Sequence, residues 1–156
     1  MASILTLEGT FEDTRARIER GATADPATPA CVSVDQWLAW REASVTTHRD
    51  IGVWLEPEDD IGALAARIEG LGLIAIEFPV FTDGRGYSMA RLLRERIGYR
   101  GELRATGDIL RDQLWFLHQV GFDAFQLRAD QDLAAACEAF SDYTVPDGWT
   151  NGTRTI

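Results

Sequence analysis

Lysine is absent from the chain, and all fifteen basic residues are arginine. With no lysine there is no amine for a Schiff base and no P-loop lysine for a nucleotide phosphate, so both chemistries are excluded. Cysteine is scarce as well. Cys31 and Cys137 are the two present. They lie far apart and outside any CxxC or metal-type spacing, which rules out a four-cysteine cluster and reads as a reduced thiol pair. His48 and His118 have no second histidine or cysteine at ligand spacing, so no metal site is expected. Long apolar runs are missing too: the longest, residues 73–76 with Phe78, is far short of a membrane span. Positive charge is in deficit. A net charge of −10 argues against nonspecific binding to nucleic acid or to an anionic membrane. The opening "MASILTLEGTFEDTRARIER" turns acidic within eight residues and does not read as a signal peptide, so a cytoplasmic protein is expected.

What is there is ordinary for a globular domain: 156 residues, 46% hydrophobic and 26% charged. Residues 1–45 read as a variable N-terminal arm and one short helix, and 46–156 as a single α/β domain. The arm includes the turn-rich "GATADPATPA" and looks like a loosely attached lead-in. In "SVDQWLAWREA", Ser33 can cap a helix with Gln36 three residues on. From residue 51 the rhythm is regular. "IGVWL", "LIAIEF", "ELRAT" and "DAFQL" are strand candidates, the second nearly continuous in apolar residues as a doubly covered parallel strand would be.

Between them run helical faces. Pro57 can open one carrying Ile61, Leu64, Ala65, Ile68 and Leu71. Met89, Leu92, Leu93 and Ile97 form the next, with Gly98 as its C-cap. Asp108 can cap a helix carrying Leu110, Leu114 and Leu117, and Asp130 one carrying Leu133, Ala136, Cys137 and Phe140. Trp115 and Phe116 fall beside the Leu110–Leu114–Leu117 stripe, so at least one should be partly exposed. The expected fold is α/β: four parallel strands alternating with helices in the order of a half βα-barrel, with an open doubly wound sheet as the alternative. The tail "VPDGWTNGTRTI" reads as turn-rich surface.

Ligands of such folds bind at the carboxyl ends of the strands. The richest loop there is "TDGRGYS". Gly84 and Gly86 permit close backbone approach, Ser88 adds a donor at the next helix, and Arg85 is a fork suited to an oxyanion or carboxylate. The competing reading is a turn in which Arg85 pairs with Asp83. The following loop supplies Arg111, Asp112 and Asp108. Alternation in "ELRAT" puts Leu103 and Ala105 on one side and Arg104 with Glu102 and Thr106 on the other. An arginine inside a strand needs an acid, and Asp83 or Asp108 is the expected partner.

The strings "FTDGRGYS", "GELRATGD" and "RDQLWFLHQVGFDAF" carry a likeness. The segment 51–142 closely resembles a bacterial family called domain of unknown function 934, whose members are often labelled oxidoreductases of sulfite reduction because their genes sit beside those for sulfite reductase. The resemblance points to Asp83, Gly84, Arg85, Gly86, Ser88, Arg104, Gly107, Asp108, Arg111 and Asp112 as ligand- or partner-binding, and to no catalytic residue. It implies an accessory protein of sulfate assimilation, partnered with sulfite reductase or its electron donor. The alternatives are a small α/β enzyme acting on an anionic sulfur metabolite, with Arg85 and Arg104 gripping the oxyanion, and a structural subunit of an assembly. Homo-oligomerisation is left open. No nicotinamide, flavin, haem or iron–sulfur motif accompanies the label, so no cofactor is expected. Gently purified protein should therefore be colourless above the tryptophan band; a flavin, haem or iron–sulfur spectrum would overturn that expectation.

Overall fold

The computed structural model describes residues 2–141. Eight strands and five helices follow in the order β1 (Ala2–Thr6), β2 (Gly9–Asp13), β3 (Ala16–Arg17), β4 (Ala30–Ser33), α1 (Val34–Glu42), β5 (Ile51–Leu55), α2 (Ile61–Ala65), β6 (Leu73–Phe78), α3 (Arg85–Arg91), β7 (Glu102–Gly107), α4 (Leu114–Gln119), β8 (Ala124–Phe125) and α5 (Leu133–Ser141). A π-helical stretch, Leu92–Ile97, extends α3, and a 3-10 turn, Arg111–Gln113, leads into α4.

The strands form one sheet in the order β2-β1-β8-β7-β6-β5-β4-β3. From β4 to β8 neighbours in space are neighbours in sequence, the order of a half-barrel and not of a doubly wound sheet. The parallel run has six members, β3 to β8, where four were expected. The two extra strands are four residues and two residues long, too short to show a period in the sequence. β1 and β2 add an antiparallel hairpin against β8.

The lead-in is therefore not loose. It builds both edges of the sheet, and only Thr14 and Arg15 separate β2 at one edge from β3 at the other. Three virtual bonds reach at most about 11 Å, so the two edges meet there and the sheet must curl. Segment 13–17 acts as a strap joining them.

Alternation then sorts the side chains. Val32, Val53, Leu55, Ile74, Ile76, Phe78, Leu103, Ala105 and Phe125 pack under the helices in one core. The positions between them, Cys31, Trp54, Ala75, Glu77, Arg104, Thr106 and Gln126, line the other, concave face.

Local chemistry sets the helix starts. Ser33 Oγ accepts the Gln36 amide at 3.3 Å, as the capping pattern predicted. Pro57 does not open α2: Glu56 to Asp59 close a turn, and Asp60 caps the helix through the Ala63 amide at 3.2 Å. Nor does Asp130 open α5. Its carboxylate is held by Arg128, and Asp132 takes the Ala134 amide at 2.9 Å. Gly98 ends the π-helical stretch at φ 78° as expected, but the wider turn leaves Leu92 39% exposed while Met89 and Leu93 stay buried. Phe116 is 63% exposed, in line with its place beside the stripe. The sequence tail, with its expected surface turns, lies outside the described residues.

Two glycines let β6 and β7 end where they do. A Cβ on Gly107 would strike the Phe78 backbone at φ +89°, and one on Gly86 would strike the Phe78 ring. Gly84 is different, at φ −75° with open space around its Cα. Gly107→Ala should cost about 2–4 kcal/mol, and Gly84→Ala should stay within about 0.5 kcal/mol of wild type. Denaturant midpoints of the two variants check this contrast.

Candidate functional site

The concave face holds a cleft of about 460 Å³. Its floor is sheet, with Trp54 at 2% exposure, and Cys31, Thr106 and Gln126 around it. The strap forms its rim through Asp13, Arg15 and Arg17. Trp54, Glu77, Thr106 and Gln126 sit at or just past the carboxyl ends of their strands, where parallel α/β folds place ligands. Three arginines and two carboxylates line it, and Glu19 and Glu102 contact Arg17 and Arg104 from its margin, so every guanidinium already meets an acid. What the cleft offers an anion is three clustered guanidinium forks, in exchange for one of those acids.

Arg104 is the centre of it. The side chain is 5% exposed, and it spans from the sheet to the strap. Nη1 donates to Asp13 Oδ2 at 2.7 Å and Nε to Glu102 Oε2 at 2.8 Å. Nη2 lies 2.6 Å from that same Glu102 oxygen, at an angle that makes no hydrogen bond. Asp13 in turn takes the Arg15 amide at 2.9 Å on Oδ1 and the Arg15 guanidinium at 3.4 Å on Oδ2. Arg17 forks onto Glu77 at 3.0 and 3.2 Å and lies 4.1 Å over the Trp54 ring. Trp54 Nε1 donates to the Ile18 carbonyl at 3.0 Å, pinning the far end of the strap.

Titration follows these contacts. Burial alone would raise Asp13, but the Arg15 amide and the Arg104 guanidinium outweigh it and hold the carboxyl below the usual range. For Glu102 burial wins over the same arginine, and its carboxyl is pushed up. Burial also pushes the Cys31 thiol up to about 12 in spite of the nearby arginines, so it is a neutral thiol near pH 7. Cys31 and Cys137 are both free.

The loop residues singled out from the sequence lie elsewhere. Arg85 is 55% exposed and forks onto Asp83, Nε to Oδ1 at 3.0 Å and Nη2 to Oδ2 at 2.7 Å, with Glu58 at 3.3 Å from Nη1. Asp83 also takes the Arg85 amide, and the arginine beside it holds the carboxyl low. Gly86 packs on Phe78, and Ser88 is exposed on α3 with no capping bond. Asp108 caps no helix. It bridges two loops, taking the Phe81 amide at 3.0 Å and Arg128 at 2.7 Å. α4 is entered instead through Gln113, whose side chain takes the Leu110 amide. Arg111 and Asp112 are exposed and 4.0 Å apart.

Arg104 thus meets neither Asp83 nor Asp108. Those acids stand beyond the strand ends, whereas its side chain points across the concave face toward β2. Asp13, Arg15, Arg17, Cys31, Trp54, Glu77 and Gln126 were not picked out as site residues. Their signal was available in part: the alternation that set Arg104 apart from Leu103 also sets Trp54 and Glu77 apart from their neighbours. The odd positions of "DTRAR" repeat it.

Fold and site together define a mixed α/β protein: a curled, mostly parallel sheet whose concave face carries a strapped, arginine-lined cleft. The chain belongs to the family described as bacterial protein of unknown function (DUF934), whose profile matches residues 52–149. No curated protein is detectably similar to it. The matched span carries Arg104, Glu77 and Trp54, whereas the strap precedes it. Among the described residues no group of three or more histidine, cysteine or carboxylate side chains could hold a metal ion, and no helix is long and apolar enough to cross a membrane.

Replacing Arg104 leaves Glu102 without its cation and Asp13 with Arg15 alone, so Arg104→Met should cost about 3–5 kcal/mol. The pair also carries a pH signature. Asp13 titrates lower folded than unfolded, so its stabilisation is fully present above the unfolded value and fades as pH falls through the folded one, below about pH 4. Asp13→Asn should flatten the acid limb of the stability–pH curve, and an unchanged limb would sink the assignment.

Proposed function

We propose that this protein binds a small oxyanion on its concave face and serves sulfite reduction as an accessory to sulfite reductase or its electron donor. The observation that carries the anion half is Arg104: a buried guanidinium with two further arginines beside it, in a cleft whose Thr106 and Gln126 lie at or just past the carboxyl ends of their strands. The sulfur setting is supported by the resemblance of "FTDGRGYS" and "GELRATGD" to a family whose genes accompany sulfite reductase. A docking role falls to the loop after β6, where Val80 and Phe81 are 51% and 44% exposed beside Arg85. Exposed apolar side chains next to a charged fork suit a protein partner.

A second reading, a small enzyme acting on an anionic sulfur metabolite, is favoured by Cys31 and Thr106, which line the same cleft as the arginines. Turnover of a sulfur oxyanion by purified protein would select it over the accessory reading.

A deletion strain should grow poorly on sulfate or sulfite and normally on cysteine or sulfide. Normal growth on sulfate, with no second copy of the gene, would remove the sulfur setting. Arg85→Ala should melt close to wild type, because the side chain is exposed, and Asp83, 9% exposed beneath it, keeps the residue-85 amide and regains water when the guanidinium is removed. It should nevertheless fail to restore growth. Full complementation by that folded variant would remove the loop from the docking role.

A further inference from the structure

Every arginine of the cleft is already engaged by a carboxylate of the protein, and one of those carboxylates also fastens the strap. We infer that Asp13 is an internal stand-in for a compact dianionic oxyanion, which displaces it from Arg104 and Arg15 and frees the strap as it binds. The inference rests on the anion-binding reading of the concave face.

Asp13 is bound as a ligand would be. Its two oxygens take a backbone amide and two guanidinium groups, from Arg15 and Arg104. In its dianionic form an incoming sulfur or phosphorus oxyanion carries one more negative charge than the carboxylate it replaces. It also carries at least one more oxygen. The extra charge favours exchange at two clustered arginines. The extra oxygen meets donors where Thr106 and Gln126 line the same cleft. Thr106 Oγ1 has only a long contact, at 3.5 Å from the Ile76 carbonyl. A monoanion would gain charge over nothing and should exchange poorly.

The same geometry makes binding legible in the backbone. Asp13 is the last residue of β2, and β3 pairs with β4 through two residues alone. When Asp13 leaves Arg104, the Arg15 amide loses its acceptor. The strap is then held by main-chain pairing alone at its β2 end, where Asp13 faces Ala2, and by the Arg17–Glu77 fork and the Trp54 bond to Ile18 at the other. Segment 14–16 should open while α1 and the core stay closed.

The test uses the full chain, with sulfite, sulfate and phosphate as probes and nitrate at matched ionic strength as the monoanion control. Calorimetry should detect binding of the dianions and not of nitrate, and the ranking of sulfite and sulfate against phosphate tells a sulfur ligand from a phosphorus one. At saturation, hydrogen exchange at the Arg15 and Ala16 amides should accelerate severalfold, with α1 unchanged. Asp13→Asn removes the competing charge and should bind the dianions roughly tenfold more tightly. If neither wild type nor Asp13→Asn binds any of the probes, both the anion-binding reading and this inference fail. If the dianions bind but exchange at the strap is unchanged or slowed, the inference alone fails and the anion-binding reading stands. Should Asp13→Asn not fold, the exchange arm on wild-type protein decides by itself.

Discussion

The contact between Asp13 and Arg104 is the one on which the rest of the molecule turns. It joins the second strand of the chain to the seventh, ninety-one residues apart, across the concave face of the sheet. Both groups are nearly inaccessible, at 9% and 5% exposure. Neither could be buried alone, because an uncompensated charge in that position costs several kcal/mol. Together, and with Glu102 and the Arg15 amide, they can be. The pair therefore fixes where the N-terminal segment must lie, and the strap that follows holds the two sheet edges at one place.

That constraint explains why the two faces of the sheet differ so much. Under the helices the packing is apolar and close, with Phe78 meeting Tyr87 and Phe122 at ring distances of 5.5 and 5.9 Å. On the concave side no helix among the described residues lines the cleft. The chain supplies charged side chains there, in pairs that leave each charge partnered. Arg94 does comparable structural work at the opposite end of the strands, donating to the carbonyls of Tyr99, Gly101 and Gly121 at 2.8–2.9 Å. Arginine suits both places because its planar fork satisfies several acceptors at once. In a chain with no lysine, that geometry was the cation available.

The carboxyl-end loops carry a second kind of network. Arg128 clasps Asp108 and Asp130, and Asp108 reaches back to the Phe81 amide, so the loops after β6, β7 and β8 are tied to one another. The Arg85–Asp83 fork belongs to the same rim. These bonds give the exposed Val80 and Phe81 a defined position, apart from the arginine cluster of the concave cleft.

The sequence by itself determined the local pieces. Periodicity placed the strands at β5, β6 and β7, Ser33 announced the start of α1, and alternation in "ELRAT" separated Arg104 from Leu103 and Ala105. It also determined that no lysine chemistry and no four-cysteine cluster could be present. What it could not convey was anything that depends on distant partners. β3 and β4 are too short for a pattern, and they exist as strands because β5 offers β4 a parallel edge and β4 in turn offers one to β3. The caps at Asp60 and Asp132 were assigned to other residues, since several acids stood within one turn of each helix and only packing chose among them. The partner of Arg104 was beyond reach for the same reason. Burial sets which charge must be met, but only the curl of the sheet decides that the nearest carboxylates are Asp13 and Glu102, while Asp83 and Asp108 face the solvent-side loops.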